Sequence, residues 1–466
     1  MSTTTPATTT VHGDRINLLK VLGPAHIWGL GVGIVLVGEF MGWNFAVGKG
    51  GALAALIACW VIGLLYTCVA MIDSEVTSTV AAAGGQYAQA KHIIGPLMAF
   101  NVALYLVMAY TMLEAGNAFI AADLLRTVAG QSGHADLNIT PFILLVITSL
   151  AWLNYRGVFM TLTFNYIITG VAFLSILVLY VSVAPWTPGE VVKHDQLLTG
   201  LPYGWIGVVA ALQFGMWYYL GIEGTCQAAE ECRSPGRSIP LGTITGIVTL
   251  IIAASLTWYV ATGLIPWEYL GQAYTPLYDA ATITGSKLLM VVLFVGTMLS
   301  TLASANGCIN DASRAWFSMG RDRYMPQWFG AVHPRYRTPF RSILFLIPIA
   351  YVAATQLPVD GVITFSILAG LLGYTFMSFN IVRFRQLWPL GVIKRAYIHP
   401  FHPLPAVVLF IMCMAVYFAT FLGYADYLIS ILVFFIVASL WFSMHRYKYV
   451  RRGDQFTMSW PRPRGY

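Results

Sequence analysis

Charged side chains are scarce in this sequence. Only 10% of its 466 residues are Asp, Glu, Lys or Arg, whereas 58% are hydrophobic and the mean hydropathy is +0.71. Soluble domains carry about 25% charged residues, because polar groups must cover a water-facing surface. The composition therefore excludes an ordinary soluble protein and predicts a chain whose main solvent is lipid.

Three other features are missing. No apolar core precedes Leu22 in the Thr-rich start of the chain, so we expect no cleavable signal peptide and a disordered cytoplasmic segment at 1–22. The six cysteines form no C-x-x-C pair and lie mostly in apolar runs, which indicates free, buried thiols. His399 and His402 have only loose metal-ligand spacing in HPFHP, so we predict a loop there and neither a metal site nor a cofactor.

Enzymatic motifs are absent as well. The sequence shows no phosphate-cradling loop followed by a cytosolic domain, and no cluster of nucleophile, base and oxyanion donor. The net charge of +7 comes from basic residues in short loops between apolar runs, which indicates membrane topology rather than nucleic-acid binding. We therefore expect a membrane protein that is not an enzyme, with no nucleic acid and no obligate protein as partner.

Long apolar runs are what the sequence has in abundance. Twelve of them approach the length of about 20 residues that crosses a bilayer. They cover 25–47, 51–72, 95–125, 140–155, 162–184, 204–229, 240–264, 286–318, 342–357, 361–383, 403–422 and 425–446. We predict an all-α polytopic membrane protein with about 12 transmembrane helices.

The predicted helices divide into repeats. A transmembrane domain over 23–447 contains a first repeat of five helices, an inverted second repeat and two extra helices, at about 25–184, 204–383 and 403–446, and a basic tail follows at 448–466. Most of the 26 Lys and Arg residues fall in alternate loops and in the terminal segments. By the positive-inside rule, both termini of this multi-pass protein are cytoplasmic, in the inner (plasma) membrane of the cell.

The first and sixth apolar runs are interrupted by glycines beside an acidic residue. The first, GLGVGIVLVGEFMGWNFAVG, contains Gly38, Glu39 and Gly42, and the sixth, LQFGMWYYLGIEGTCQAAEE, contains Gly221, Glu223 and Gly224. At 1.5 Å per residue both glutamates lie roughly 10 to 20 Å deep. Equivalent broken helices in two inverted halves mark a substrate site near the bilayer midplane.

These breaks predict a site for a cation. A carboxylate at membrane depth costs about 2.5 to 3.5 kcal/mol, and neither run carries a central Lys or Arg, so a proton or a cationic substrate must compensate the charge. Glu114 in the third run is a further candidate. Trp43, Trp217 and Tyr218 adjoin the breaks, where aromatic faces hold an alkylammonium group.

Structural roles compete with these assignments. Glu39 caps the second half of its helix in one interpretation, and Glu223 belongs to a hydrogen-bond network between helices in another. Glu114 has a similar structural alternative. Asn306, Asn310 and Asp311 in the eighth run are interpreted as polar contacts between helices and are left out of the predicted site.

Three stretches carry a family resemblance. AAAGGQYAQAKHIIGP at 81–96, AAEECRSPGRSIP at 228–240 and ASRAWFSMGRDRYMPQWFGAVHPRYRTP at 312–339 resemble, in order, loop motifs of the amino acid–polyamine–organocation superfamily. Within it, the GEFMGW and IEG segments and the third-helix glutamate are most similar to ethanolamine permeases. The segment LEAGNAFIAADLL departs from that subfamily, as does the AGG motif, which lacks its preceding proline.

The resemblance implies a secondary active transporter that works by alternating access, with the first and sixth helices broken at the substrate. We predict a permease that imports a small protonated amine, such as ethanolamine or a related alkylamine. The departures leave room for a substituted alkylamine or a diamine, and coupling to H⁺ or Na⁺ stays open. An amino-acid permease with the buried glutamates as proton carriers is the alternative, and a receptor or channel of the same fold is a more distant one.

Overall fold

The computed structural model describes residues 18–131, 136–183, 200–447 and 450, without the side chains of residues 131 and 360. Residues 1–17 of the predicted N-terminal segment, and the predicted C-terminal tail apart from residue 450, lie outside the described residues. Residues 18–22 are described, and the amides of Val21 and Leu22 donate to the Glu231 carbonyl at 2.9 and 3.0 Å. The ordered chain therefore begins before residue 22, because this short strand-like segment pairs with the loop after the sixth span.

Helices make up nearly all of the described chain. They are α1 (Pro24–Val35), α2 (Val37–Phe40), α3 (Asn44–Gly50), α4 (Ala52–Thr79), α5 (Gln86–Ile93), α6 (Pro96–Gln131), α7 (Thr140–Arg156), α8 (Val158–Val183), α9 (Gly204–Gly215), α10 (Pro235–Leu264), α11 (Trp267–Leu270), α12 (Pro276–Ile283), α13 (Lys287–Arg321), α14 (Phe340–Gln356), α15 (Val359–Leu387) and α16 (Leu404–Trp441). Six of them have proline at the first or second position, where the missing N–H is not needed.

All twelve predicted spans coincide with helices. Within the described ranges, eight helices are long and apolar enough to cross a membrane, and the bent pair Pro24–Phe40 and Asn44–Gly50 makes a ninth. Helices α7 and α14 have 17 residues each, the short end of the spanning range. Helix α16 contains both of the last two predicted spans, which meet at the non-helical residue Tyr424.

The two halves of the bundle pack as an inverted repeat. Helices that hold the same position in each half lie against each other, namely α4 on α10, α6 on α13 and α7 on α14. Cross-contacts are reciprocal too, because α13 packs on α8 as α15 packs on α6. The broken segments α1 to α3 lie beside the sixth span, so the two interrupted helices meet inside the bundle.

The loops rich in Lys and Arg lie together at one end of the bundle, which we call the basic face. Residues 18–23, α5, the loops after α9, α13 and α15, and the end of α16 contribute to it. Contacts that join these segments include Lys91–Asp322 at 2.9 Å, Arg321–Glu230 at 3.2 Å, Arg385–Glu75 at 2.6 Å, Arg156–Tyr336 at 3.2 Å and Arg446 to the Tyr324 carbonyl at 3.2 Å. Alternate loops of the predicted topology therefore share one side.

Candidate functional site at two broken helices

The first helix breaks between α2 and α3, where its axis turns by 47°. Met41 is extended and Gly42 has φ +91°, a left-handed conformation that glycine adopts without strain. The Asn44 carboxamide oxygen accepts a hydrogen bond from the Gly42 amide at 3.0 Å. The Asn44 amide group also donates to the Leu270 and Ala273 carbonyls at 2.7 and 2.8 Å. This second half of the helix is thereby fixed to the loop opposite the basic face.

The sixth span breaks after α9. A 3₁₀ turn over Met216–Tyr218 ends at Tyr219, Gly221 has φ +112°, and a 3₁₀ segment continues over Ile222–Glu231. Ten residues of 3₁₀ helix is unusually long and marks a hinge or a functional segment. The glycines that interrupt the apolar pattern are therefore the points at which the helix breaks.

The two breaks touch. A Cβ at Gly38 would clash with the Trp217 carbonyl oxygen, and one at Gly42 would clash with the Trp217 indole ring. On the other break, a Cβ at Gly221 would meet the Ile34 side chain. Glycine is needed at Gly38 because the Trp217 backbone lies too close for a side chain, and at Gly42 and Gly221 because neighbouring side chains fill the space and φ is positive.

Aromatic rings cover the crossing point. The Trp43 ring stacks on Tyr218 with centroids 5.4 Å apart and an interplanar angle of 21°. The Trp43 indole N–H donates to the Glu39 carbonyl at 3.2 Å. By contrast, the Trp217 indole N–H and the Tyr218 hydroxyl are buried without a hydrogen-bond partner. Two donors and several ring faces are therefore available next to Glu39.

The carboxylate of Glu39 is completely buried, and neither of its oxygens accepts a hydrogen bond. Thr257 lies close to it but forms no bond of ordinary length and angle. None of the ion pairs among the described residues includes Glu39. This carboxylate lacks the partners that buried charges in proteins normally have.

Glu114 on α6 is a second buried carboxylate without hydrogen-bond partners. It is buried, and both of its oxygens are without a donor. Cys308 of α13 lies within electrostatic range of both Glu114 and Glu223, and Asn117, one turn after Glu114, donates to Ser304 at 2.6 Å. The Ser304 hydroxyl in turn donates to the Ile34 carbonyl of the first broken helix at 2.5 Å. Glu114 therefore lies on the wall that faces the breaks.

Glu223 is different because its carboxylate is satisfied. Its Oε1 accepts from the Tyr374 hydroxyl at 2.7 Å, and its Oε2 accepts from the Gly221 amide at 3.2 Å. The Tyr66 hydroxyl donates to Tyr374 at 3.1 Å, which extends the chain to α4. At the next residue, Gly224, a Cβ would collide with Oδ2 of Asp311.

Three backbone amides at the first break already donate hydrogen bonds. The amides of Glu39 and Met41 donate to the Leu36 and Val37 carbonyls at 3.0 and 3.1 Å, and the Gly42 amide is bound to Asn44. Four carboxylate oxygens, two on Glu39 and two on Glu114, have no donor. Among the described residues, the buried carboxylates of the first break and its wall therefore lack both a hydrogen-bond donor and an ion-pair partner.

Sequence reasoning missed three residues at this site. Tyr374 orients Glu223, Asn44 caps the first break, and Asp311 touches the second. Each is a polar side chain within an apolar run, a signal that was visible but not specific. Their importance comes from which helix they face, and spacing alone does not give that.

A separate cleft of about 690 Å³ opens on the basic face. It is lined by α5, by the end of α13 and by Glu230, and none of the predicted site residues borders it. Burial and the neighbouring Lys91 ammonium lower the pKa of His92 in this cleft to about 4, so His92 is neutral at pH 7. Ion pairs Lys91–Asp322 and Arg321–Glu230 cross the cleft and join three loops.

The HPFHP segment contacts a carboxylate. The ring and the amide of His399 lie 2.7 and 2.9 Å from Glu75 at the end of α4, and Arg385 and Arg395 bind the same carboxylate. The segment is a loop, as the sequence indicated. Among the described residues no group of His, Cys, Asp or Glu has the arrangement of a metal site, and the six cysteines are buried without a disulfide.

A bundle of apolar helices with two inverted halves, in which two broken helices cross beside unpaired buried carboxylates, defines a membrane transporter rather than an enzyme. The comparisons with known proteins agree. The profile of the family described as Amino acid permease matches residues 26–453. This chain belongs to the amino acid permease family.

Similar proteins include an uncharacterized transporter of Rhizobium meliloti (strain 1021), which is 69% identical over 97% of this chain and 98% of its own length. The methylthioribose transporter of Bacillus subtilis (strain 168) is 24% identical over 85% of this chain and 88% of its own. A branched-chain amino acid permease of the same strain is 22% identical over 80% of each chain. These comparisons establish the family and give no support to the narrower resemblance to ethanolamine permeases.

Proposed function

We propose that this protein is a secondary active transporter that imports a small protonated amine, such as ethanolamine or a related alkylamine, by alternating access. The observation that carries the proposal is the pair of buried carboxylates without partners beside the first break. The four oxygens of Glu39 and Glu114 have no donor, whereas the amides of Glu39, Met41 and Gly42 are all used. An ammonium group supplies N–H donors and a positive charge, which are what these oxygens lack.

The surrounding groups fit the rest of such a substrate. Faces of Trp43, Trp217 and Tyr218 attract an alkylammonium through cation–π contacts. Trp217 and Tyr218 also have unpaired donors that suit a hydroxyl group on the substrate. In this proposal, Gly38, Gly42, Gly221 and Gly224 allow the two breaks to pack closely together, and Glu223 contributes negative charge from the opposite break.

Transport of an amino acid is the second candidate, and the family match favours it. The α-amino group would bind the same glutamates, and the carboxylate would accept from the unpaired donors of Trp217 and Tyr218. In that case Glu39 or Glu223 carries a proton. Competition between amines and amino acids separates the two candidates.

We also propose that the basic face, with both termini, is cytoplasmic and that the protein lies in the inner (plasma) membrane, since basic loops stay on the cytoplasmic side. Helices α4 and α10 pack on each other and beside the broken helices. Rocking of these four spans against the rest would expose the site to either side in turn, driven by H⁺ or Na⁺ coupling.

The test is uptake of radiolabelled ethanolamine by vesicles that contain the purified full-length protein. We expect saturable uptake that simple amines block and that Glu39→Gln abolishes. The matched control is Glu268→Gln, the same change at an exposed position in α11, which should leave uptake unchanged. Uptake blocked only by amino acids would favour the second candidate, and normal uptake by Glu39→Gln would refute the site.

A further inference from the structure

Asp311 on α13 is a buried carboxylate that the proposed amine site does not use. It is completely buried, and its Oδ1 accepts a hydrogen bond from the Asn310 amide group at 2.9 Å. Its Oδ2 has no partner. A Cβ built at Gly224 would clash with this oxygen, so Oδ2 is packed against the backbone of the second broken helix at Gly224.

No cation among the described residues forms an ion pair with Asp311. Arg314, one turn further along α13, is the positively charged group near it. Its guanidinium donates to both carboxylate oxygens of Glu231 at 2.8 and 2.9 Å and to the Asn310 carbonyl at 2.8 Å. In this buried bidentate ion pair, the charges of Glu231 and Arg314 balance each other. The charge of an ionised Asp311 would therefore remain uncompensated.

The other ionisable groups around Asp311 are acidic. Glu223 and Glu231 face it from the 3₁₀ segment 222–231, Tyr110 faces it from α6, and Cys308 lies on its own helix. Glu223 accepts from Tyr374 and from the Gly221 amide, an arrangement that suits an ionised carboxylate. Two neighbouring buried carboxylates repel each other when both are ionised, so Asp311, which has one oxygen without a donor, is the one that holds a proton.

We propose that Asp311 is the residue that carries the coupling proton. The inference rests on the proposed function, because it assigns the ion that drives amine transport. Oδ2 takes the proton from water on one side of the membrane and returns it to water on the other side, and no other reactant takes part. Asp311 is thus a coupling residue and does not contact the substrate.

The geometry links this proton to movement. Helix α13 holds the segment 222–231 at both ends, through Asp311 at Gly224 and through Arg314 at Glu231. Loss of the proton places an unbalanced charge against Gly224 while the ion pair at the other end stays intact. The segment then has to shift so that water reaches the carboxylate, which connects proton release to opening of the sixth span.

The experiment compares wild type, Asp311→Asn and a control in the same vesicles, with the membrane potential clamped by K⁺ and valinomycin. Exchange of labelled for unlabelled ethanolamine at equal pH measures transport without net proton flow. A pH gradient of one unit corresponds to about 1.4 kcal/mol and sustains at most about tenfold accumulation with one proton per amine. Asp311→Asn should keep exchange and lose accumulation.

The matched control is Asp73→Asn on α4. Asp73 is equally buried, but its two oxygens accept from Gln86 and Gln89 at 2.9 Å each. This variant should keep both exchange and accumulation. Accumulation by Asp311→Asn at the wild-type level would overturn the inference. Accumulation by wild type that does not depend on the pH gradient would also overturn it. In that second case, exchange of ethanolamine would still support the proposed function.

A second measurement tests the inference even when a variant has no transport activity. Infrared difference spectra between acidic and alkaline pH detect the protonated carboxyl group directly and require no substrate. The inference predicts that one component of the carboxyl band is present in wild type and Asp73→Asn and is missing from Asp311→Asn; a spectrum of Asp311→Asn identical to that of wild type overturns it. Proton-driven uptake of L-leucine but not ethanolamine, lost in Asp311→Asn, would refute the amine proposal and retain the role of Asp311.

Discussion

The two broken helices have matching sequences of glycine and glutamate, but their carboxylates have opposite surroundings. Glu39 at the first break has no hydrogen-bond donor, whereas Glu223 at the second is held by Tyr374 and the Gly221 amide. A buried carboxylate without partners is costly, and the inverted repeat shows that the fold is able to supply them. We propose on this basis that Glu39 binds the ligand and that Glu223 contributes to the shape and charge of the site.

The largest effect that this comparison predicts is on amine binding by Glu39→Gln. Removing one partner of a buried charged pair costs about 2 to 5 kcal/mol, at least about 30-fold in affinity. Equilibrium binding of labelled ethanolamine to the purified protein measures the change. The same substitution at exposed Glu268 should leave affinity as in wild type, and equal losses in both variants would contradict a specific role for Glu39.

Glu223→Gln should affect stability before it affects affinity. Hydrogen bonds to a charged group contribute about 1.5 to 3 kcal/mol each, so this change and Tyr374→Phe should each lower the melting temperature in detergent. Because the two residues share one bond, the double variant should lose less than the sum of the single losses. Strictly additive losses would show that Tyr374 does not orient Glu223.

The glycine at the first break should tolerate no side chain. In Gly42→Ala, the left-handed backbone costs about 1 to 2 kcal/mol, and the new Cβ meets the Trp217 indole. Gly170 in α8 has nothing within 4 Å of a built Cβ, so Gly170→Ala should be neutral or stabilising by up to about 1 kcal/mol. The melting temperatures of both variants test this prediction. Equal changes in melting temperature for Gly42→Ala and Gly170→Ala would contradict it.

The smallest effect concerns Trp43→Phe. Phenylalanine keeps the stacking on Tyr218 but loses the indole hydrogen bond to the Glu39 carbonyl, worth about 0.5 to 1.5 kcal/mol. The KM for ethanolamine uptake should rise by about two- to tenfold, in line with that energy. Trp60→Phe removes an exposed indole bond to Ser255 and should leave KM unchanged. A rise of the same size in Trp60→Phe would assign the effect to general stability.

Much of the fold followed from the sequence. Apolar length and glycine interruptions predicted the twelve spans and both breaks, because in lipid every backbone group must be satisfied within a helix or at a protected break. The ends of the helices were less certain: α4 continues to Thr79 and α6 to Gln131, several residues beyond the predicted spans. An apolar run ends where polar residues begin. The helix itself continues past the membrane for as long as its backbone hydrogen bonds are formed.

The partners of the site residues were beyond sequence reasoning. The surroundings of Glu39 and Glu223 differ partly because the Tyr374 hydroxyl donates to Glu223. Tyr374 lies on α15, about 150 residues after Glu223 in the sequence. Asp311 was interpreted as a polar contact between helices, because only the packing of α13 on the second break shows that Oδ2 meets Gly224. Long-range pairing of this kind depends on the helix faces that tertiary packing selects.

Competition by matched small molecules tests the central claim most directly. Uptake of labelled ethanolamine into vesicles is measured with unlabelled propylamine, propionate or L-alanine, which carry an ammonium group, a carboxylate, or both. The account predicts that propylamine competes, that propionate has no effect, and that Glu39→Gln removes the uptake. Competition by L-alanine without competition by propylamine would show that the site requires a carboxylate and would contradict an amine site built on Glu39.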